Sequence, residues 1–402
     1  MKKNLIDLLG RRKRLERCLC LACQAFIFAF AAILFLRPSV SFAKEPLEVR
    51  VAILKDVPEI VISVAGPVQI VDEKSKALLH SGKKGLPRSK VVLGEDGSFK
   101  VGQMVFKTDC LSFIGQRKAA LTVNKRRFRG KISVYRNENN NFFVINTLDA
   151  ESYIRGVLNQ EISHQWPLDA IKAQAVAART YVLYQRLMNK TRPYDVTADT
   201  SSQVYGGYLS ERRKTNSAVN TTYGEALTYR GRIFETLFCA NCGGITENAS
   251  ELWKINAEPL RGGCRCHFCS DSPHFQWRVK LGLKAIEEKL AGYSKNETGL
   301  TDIVVVERNN TGRVRQLELS YAQGRKAVIS GKDFRALLGA NTIRSTNFHI
   351  TREGDKVVFS GYGWGHGVGL CQYGALGVAK KGYSYRRILE FYYPGAEVVK
   401  IY

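Results

Sequence analysis

The sequence predicts an α+β fold in which a β-rich N-terminal part is followed by a core of mixed helices and strands. From about residue 47 to residue 144, short runs rich in β-branched and aromatic residues alternate with turn residues. From residue 147 onward, helical patterns stand among further strands and glycine-rich loops. The chain has 402 residues, of which 45% are hydrophobic, so it is long enough and apolar enough for roughly two or three packed domains.

The first part of the chain has the pattern of an export signal. Seven basic residues lie within the first 17 positions, and an apolar run interrupted only by Gln24 covers residues 18–36. The sequence after this run permits cleavage behind Ala43, whereas the run itself is almost long enough to stay in a membrane as an anchor. We therefore expect residues 1–43 to be a signal peptide or an N-terminal membrane anchor. The remainder is then extracytoplasmic, in the periplasm or on the cell-wall side of the membrane, with residues 44–145 as the β-rich part and residues 146–402 as the core.

The chain is strongly basic. It contains 61 Lys and Arg residues against 36 Asp and Glu residues, and its formal net charge is +25. A charge of this sign and size favours a polyanionic partner. Because the chain carries an export signal, we expect that this partner is not a nucleic acid.

A predicted pair of helices contains the first candidate for chemistry. The first helix begins near Leu148, with Thr147 and Asp149 as possible caps, and ends near Glu161. The second follows a short break and reaches about residue 188. A carboxylate at a helix end indicates little by itself. In the second helix, Lys172 and Arg179 are seven residues apart and project from one face, although a solvated face is the commoner fate of such charges.

Five cysteines lie between positions 239 and 269. Cys239 and Cys242 form one CxxC pair, and Cys266 and Cys269 form another, which is typical of a structural zinc ion held by four thiolates. The alternative is one or two disulfides, because an exported protein folds in an oxidising compartment. Cys264 is an extra thiol that could displace a ligand or form a disulfide. The sequence has no HExxH motif, so it gives no sign of hydrolytic zinc chemistry.

A glycine-rich segment covers residues 361–374, with glycine at nearly every second position in its first half. This spacing lets one face of the segment approach another backbone or a ligand closely. The segment fits neither a dinucleotide fingerprint nor a P-loop. On residue type alone, His366 is typical of a histidine whose hydrogen bonds are satisfied within the protein.

Taken together, these segments resemble the SpoIID/LytB family of sporulation and cell-wall proteins. The resemblance is strongest over residues 148–183, which read LDAESYIRGVLNQEISHQWPLDAIKAQAVAARTYVL, and over the glycine-rich segment continued to residue 398. It includes TSSQVY at residues 200–205 and CGGITEN at residues 242–248, and it covers nearly the whole exported chain. It implies a SpoIID-type α+β core with a substrate cleft.

The resemblance also implies an activity. Family members that are enzymes are lytic transglycosylases, and the family's catalytic glutamate matches Glu161. Such an enzyme cleaves MurNAc-GlcNAc glycan strands of peptidoglycan, preferably strands denuded of stem peptides, to 1,6-anhydro-MurNAc products in cell-wall remodelling, septal or sporulation-type processes. The nucleophile is the C6 hydroxyl of the sugar itself, so one acid suffices where an ordinary glycosidase needs two carboxylates.

Further site residues follow from the same resemblance. A denuded strand carries a free lactyl carboxylate on each muramic acid, and Lys172 and Arg179 are placed to bind it. Many relatives carry a histidine where this chain has Cys239, so a mixed ligand set becomes all-cysteine here. The remaining positions that match the family's cleft are assigned to substrate binding and are Gln203, Tyr205, His366, Gln372 and Tyr373.

A second function stays open at this point. Some relatives resembling LytB are non-catalytic enhancers or partners of cell-wall amidases. The presence of Glu161 together with Lys172 and Arg179 favours the enzyme. For either function, we expect peptidoglycan glycan strands and a cell-wall amidase as partners, with membrane contact through the N-terminal segment if it is not cleaved.

Overall fold

Two β-sheets make up the part of the chain that precedes the first helix. The structure is a computed structural model that describes residues 47–116, 119–293 and 297–402. The strands of this part are β1 (Glu48–Val57), β2 (Ile60–Ala65), β3 (Val68–Asp72), β4 (Leu78–Gly82), β5 (Gly85–Leu93), β6 (Phe99–Val101), β7 (Met104–Phe106), β8 (Cys110–Gly115), β9 (Leu121–Val123), β10 (Arg126–Phe128), β11 (Lys131–Arg136) and β12 (Phe142–Asp149).

The two sheets share one hydrophobic core. The first sheet has the strand order β1-β12-β11-β8-β3-β4, and its edge is extended by a short parallel strand, β13 (Val196–Thr197), beside β1. The second sheet has the order β10-β9-β2-β5-β6-β7. On β2, Ile60, Ile62 and Val64 are buried and the residues between them less so, which is the period-two pattern of a strand with one face in a core.

Three helices follow and position the candidate site. Helix α1 (Ala150–Glu161) begins at Asp149, whose carboxylate accepts a hydrogen bond from the Ser152 N–H at 2.9 Å. Helix α2 (Leu168–Met188) begins directly after Pro167, and its alanines are buried, which allows neighbouring elements to pack closely. Helix α3 (Arg213–Thr221) packs against both.

The rest of the described residues contain small sheets and four further α-helices. The described residues between 276 and 362, called the 276–362 module below, surround their own hydrophobic cluster, which includes Phe334, Phe348 and Phe359. The elements are β14 (Glu225–Tyr229), β15 (Arg232–Ile233), β16 (Phe238–Cys239), β17 (Gln276–Gly282), α4 (Leu283–Leu290), β18 (Leu300–Arg308), β19 (Val314–Tyr321), β20 (Lys326–Ser330), α5 (Gly331–Leu338), β21 (Phe348–Glu353), β22 (Lys356–Tyr362), β23 (Leu370–Cys371), α6 (Gln372–Lys380), α7 (Tyr385–Tyr392) and β24 (Glu397–Lys400).

The predicted α+β class is confirmed by this mixture of helices and sheets. The predicted signal or anchor at residues 1–43 lies outside the described residues. Among the residues that are described, no helix is both long and apolar enough to cross a membrane.

Candidate active site and cysteine cluster

A cleft of about 670 Å³ contains the end of α1. The loop after β13, strand β16, helix α5 with the turn that follows it, and the glycine-rich segment contribute its other walls. Among the described residues that line this cleft, Glu161 is the only carboxylate. The cleft therefore brings together segments that are more than two hundred residues apart in the sequence, around a single acidic group.

Glu161 is the last residue of α1, and its side chain is partly buried. Its Oε1 accepts a hydrogen bond from the Val204 N–H at 2.9 Å, and the side-chain amide of Gln372 also donates to the carboxylate. Burial raises the pKa of the Glu161 carboxyl above its usual value, and the two hydrogen bonds oppose this rise without cancelling it. A carboxyl group with a raised pKa keeps its proton to higher pH, as a general acid requires.

A close approach of two backbone segments fixes the position of Glu161. The Gly156 carbonyl in α1 accepts hydrogen bonds from the Gly206 N–H at 3.0 Å and from the Ser210 hydroxyl at 2.7 Å. A Cβ added at Gly156 would lie 2.3 Å from the Tyr205 ring, so only glycine permits this contact. The same approach brings the Val204 N–H to the end of α1, where it reaches Glu161.

His366 lines the cleft, but the backbone engages both of its ring nitrogens. Its Nδ1 accepts a hydrogen bond from the Val368 N–H at 3.0 Å, so Nε2 carries the proton and donates it to the Phe238 carbonyl at 2.9 Å. Burial lowers the pKa of His366 to about 4. His366 is therefore neutral near pH 7 and presents its ring to the cleft beside Trp253, with 5.1 Å between the ring centroids.

The two other residues expected from the glycine-rich segment begin α6. Gln372 lines the cleft and contacts Glu161. Tyr373 packs its ring against Trp166 and His274, with centroid distances of 5.2 Å and 5.3 Å, and does not line the cleft. The structure thus brings Gln372 to the candidate acid and places Tyr373 behind it.

Arg179 requires a correction, because it does not reach the cleft. It is fully buried, and its Nε and Nη2 each donate to the Glu151 carboxylate at 2.8 Å. Its Nη1 donates to the Glu225 carbonyl at 2.9 Å. With its donors taken by the protein, Arg179 joins α2 to α1 and β14, and the prediction that it binds a substrate carboxylate is wrong for this structure.

Lys172 lies on the same face of α2 as Arg179 and is corrected for the same reason. Tyr181, which lines the cleft, is nine residues further along the helix and so points about 180° away from Lys172. The Lys172 ammonium instead lies 5.7 Å from the centroid of the Tyr385 ring, in α7. It contacts an aromatic neighbour and not the cleft.

Gln203 and Tyr205 are also structural residues and not exposed binding groups. Gln203 is 1% exposed, and its side-chain carbonyl accepts a hydrogen bond from the Tyr153 hydroxyl at 3.1 Å. Tyr205 is 2% exposed, donates its hydroxyl to the Asn146 side chain at 2.9 Å, and stacks on Tyr153. Through these hydrogen bonds, both residues hold the 200–205 segment against the core. Neither lines the cleft, so their assignment to substrate binding is replaced by a structural role.

Four buried cysteine sulfurs converge behind the cleft. The Sγ atoms of Cys242, Cys266, Cys269 and Cys371 lie within 4.8 Å of one another, and these cysteines form no disulfide. In a tetrahedral site with zinc–sulfur bonds of about 2.3 Å, two sulfurs are about 3.8 Å apart. The distance between the sulfurs of Cys242 and Cys269 is 3.7 Å. Two backbone N–H groups, of Cys242 and Gly374, donate to Cys371 Sγ at 3.3 Å, so the donor set and its spacing fit a four-thiolate metal site.

The composition of this cluster corrects one predicted ligand. Cys239 lies outside it and lines the cleft, and Cys371 occupies the fourth position. Cys264 is also outside it, and its thiol donates to the Phe391 carbonyl at 3.2 Å. Cys371 follows Cys242 by 129 residues and has no CxxC partner. Its place in the glycine-rich segment was the only sequence signal that could have indicated it.

Two family models match this chain. The SpoIID model, described as stage II sporulation protein, matches residues 138–229, which include α1, α2 and Glu161. A second model, a domain of unknown function (DUF8618), matches residues 267–369 and therefore covers the 276–362 module.

Three relatives show how far the similarity extends. An uncharacterized protein of Brachyspira hyodysenteriae is 33% identical over 308 residues, which cover 76% of this chain and 79% of the relative. The stage II sporulation protein D of Bacillus subtilis is 28% identical over 282 residues, covering 66% of this chain and 78% of the relative. The amidase enhancer of the same organism is 29% identical over 290 residues, covering 60% of this chain but only 39% of that longer protein.

Proposed function

The chain belongs to the SpoIID/LytB family, and from this membership and the cleft we propose that it is a peptidoglycan lytic transglycosylase with Glu161 as its catalytic acid. The observation that carries the proposal is the isolation of Glu161. It is a partly buried carboxyl group with a raised pKa, and no other carboxylate among the described residues lines its cleft.

A single carboxyl group fits this reaction and does not fit ordinary hydrolysis. Hydrolytic glycosidases pair two carboxylates about 5 to 9.5 Å apart, one of which acts as nucleophile or activates water. In the proposed reaction, Glu161 gives its proton to the glycosidic oxygen as the bond from that oxygen to C1 of the muramic acid breaks. The C6 hydroxyl of the same sugar then forms a bond to C1, and its proton returns to Glu161. No water is consumed, and the acid is regenerated.

The neighbours of Glu161 support both halves of this cycle. The Val204 N–H and the Gln372 amide donate to the carboxylate, so they hold it in place and stabilise its ionised form after the first proton transfer. Trp253 and Trp364 line the same cleft and offer broad apolar ring faces against which sugar rings can pack. The net charge of +25 favours a polyanionic strand as the ligand.

The cysteine cluster supplies a structural metal site in this proposal. Cys242, Cys266, Cys269 and Cys371 would hold one zinc ion, because a closed set of four thiolates leaves no position for a catalytic water. The metal would fix the fold around α6, whose first residue is Gln372. Zinc would thereby hold a cleft residue in place without taking part in the chemistry.

The proposed function also implies a cellular location and a partner for the chain. We place the chain outside the cytoplasm, carried there by residues 1–43 as a cleaved signal or a membrane anchor, since its proposed substrate lies there. One relative is named as an amidase enhancer, which favours a cell-wall amidase as the functional partner. The second candidate function is an enhancer of such an amidase without cleavage of its own.

Analysis of the reaction products separates the two functions. Purified glycan strands, with and without stem peptides, are incubated with the chain and the products identified by mass spectrometry. The enzyme reading predicts anhydro-muramic ends on denuded strands, with release abolished by Glu161→Gln. Absence of new ends, together with faster release of peptides by an added amidase, would assign the chain to the enhancer class.

A further inference from the structure

The 276–362 module contributes to the cleft that contains Glu161. Helix α5 and the turn behind it supply Arg335, Ala340 and Asn341 to the cleft lining, and Trp364 follows the last strand of the module. The module matches a domain family of unknown function, and its own hydrophobic cluster shows that it is packed independently of the helix pair. One part of this module therefore faces any ligand that occupies the cleft.

Arg335 is the cation of this module that lines the cleft, and it is incompletely paired. Its Nε donates to the Arg344 carbonyl at 3.2 Å, while its Nη1 and Nη2 have no hydrogen-bond partner and no carboxylate within 4.0 Å in the described parts of the chain. Other arginines of the module are differently placed. Arg315 pairs with Glu307, and Arg325 pairs with Glu297, both at the surface.

The partly buried position of Arg335 makes its incompletely paired guanidinium unfavourable for the stability of the fold. Arg335 is partly buried, and burial lowers its pKa, although a guanidinium stays protonated at any ordinary pH. A charge that is removed from water without a partner destabilises the fold unless a ligand supplies the opposite charge. The two unused nitrogens of Arg335 are the pair that binds a carboxylate in the bidentate geometry.

Two more cations of the module lie beside the tryptophans of the cleft. The Lys332 ammonium is 5.7 Å from the Trp253 ring centroid, and the Arg344 guanidinium is 4.9 Å from that of Trp364. Neither Lys332 nor Arg344 lines the cleft itself, so Arg335 is the cation of the module that a bound strand would meet there.

We propose that Arg335 binds the free lactyl carboxylate of a muramic acid residue, so that the 276–362 module selects glycan strands from which the stem peptide has been removed. This inference rests on the proposed function, because it takes a glycan strand as the ligand. Attachment of a stem peptide converts the carboxylate to an amide, which has no charge to pair with Arg335. Arg335 thus takes the role that the buried Arg179 cannot have.

The test compares Arg335→Gln with a matched control, Arg352→Gln, in the full chain. Arg352 is an exposed arginine of the same module whose side chain, among the residues that the structure describes, hydrogen-bonds only the Gly354 carbonyl. Both variants therefore lose one positive charge. The ligands are denuded strands and the same strands with every lactyl carboxylate converted to a primary amide. Binding is followed by the fluorescence of the cleft tryptophans in a Glu161→Gln background, which prevents turnover, and cleavage is measured with Glu161 intact.

In the Glu161→Gln background, the chain with Arg335 intact and its Arg352→Gln variant are both expected to bind the carboxylate form ~10- to 100-fold more tightly than the amide form. This is the range for one charge-assisted pair. Arg335→Gln is expected to bind both forms equally, at the affinity of the wild type for the amide form, and Arg335→Lys to recover part of the preference. An unchanged preference in Arg335→Gln overturns the proposal. So does an equal loss of affinity for both forms, since that marks a structural role.

Failure of the proposed function gives a different result. If the chain cleaves neither strand but the binding preference is present and depends on Arg335, the transglycosylase proposal fails and the assignment of Arg335 stands. If cleavage occurs and Arg335→Gln retains the wild-type ratio of kcat/KM between the two forms, the assignment of Arg335 fails alone.

Discussion

Replacing Arg179 with methionine tests whether its ion pair with Glu151 holds the fold or serves the substrate. The change removes two hydrogen bonds of 2.8 Å to the Glu151 carboxylate and one of 2.9 Å to the Glu225 carbonyl. Glu151 is only 3% exposed, so it is left as a buried anion without its cation. We expect Arg179→Met to lower the free energy of unfolding substantially and to leave the cleft itself intact.

The size of the loss follows from what remains around Glu151. Breaking a buried ion pair by removing one partner costs about 3–5 kcal/mol. Two donors stay with the Glu151 carboxylate, the Gly224 N–H at 3.1 Å and the Tyr402 hydroxyl at 2.7 Å. Because these donors continue to stabilise the anion, we expect the lower end of the range, about 3 kcal/mol. Replacing Glu151 as well should recover part of the loss, since no unpaired charge is then buried.

Urea unfolding followed by tryptophan fluorescence measures the effect. The control is Arg186→Met, a partly exposed arginine of the same helix that makes one hydrogen bond to the Glu48 carbonyl at 2.8 Å, and its expected loss is below about 1 kcal/mol. The reasoning is refuted if Arg179→Met unfolds like the wild type and binds denuded strands more weakly in a salt-sensitive way. That result would return Arg179 to the substrate-binding role that its position in the sequence suggested.

Two other predictions concern the acid and the cysteine cluster. Cleavage requires protonated Glu161, so kcat/KM should fall as pH rises through the raised pKa of that group. The variant Gln372→Leu removes a hydrogen bond that lowers this pKa. In that variant, the descending limb of the pH profile should therefore move to higher pH. An unmoved limb would show that the titrating group is not Glu161. Cys371→Ser should lose zinc, measured by elemental analysis, and unfold at lower urea concentration, whereas Cys239→Ser should keep the metal, because only Cys371 belongs to the four-sulfur cluster. Retention of zinc by Cys371→Ser with loss from Cys239→Ser would contradict the ligand set.

Local rules were enough to predict the elements on which the candidate acid depends. A helix ending near Glu161 and a second helix after Pro167 require only neighbouring residues, and both are present. Of the two possible caps of the first helix, Thr147 and Asp149, the structure uses Asp149. The residue-level interpretation of His366 as internally satisfied also agrees with the structure, in which two backbone groups engage its nitrogens. Short-range geometry is therefore well encoded in the sequence of this chain.

The assignments of Lys172 and Arg179 to substrate binding, and of Cys239 to the metal site, went wrong for a different physical reason. Helical spacing shows that Lys172 and Arg179 share a face, but it cannot show that Glu151 and Tyr385 cover that face. The same limit explains the missing metal ligand, since the cluster is closed by Cys371, which comes from a remote segment. Contacts between elements distant in sequence decide such questions, and spacing within one element carries no information on them.

The measurement that tests the central claim most directly is the chemical identity of the ends produced from denuded glycan strands. Mass spectrometry of digests by the wild-type chain and by Glu161→Gln distinguishes an intramolecular attack from attack by water, which adds 18 Da to each cleaved pair. Our account predicts 1,6-anhydro-N-acetylmuramic acid ends from the wild type, reduced by ~10² to 10⁴ in rate or more in Glu161→Gln. Reducing ends in place of anhydro ends, or anhydro ends that form equally fast in Glu161→Gln, would contradict it.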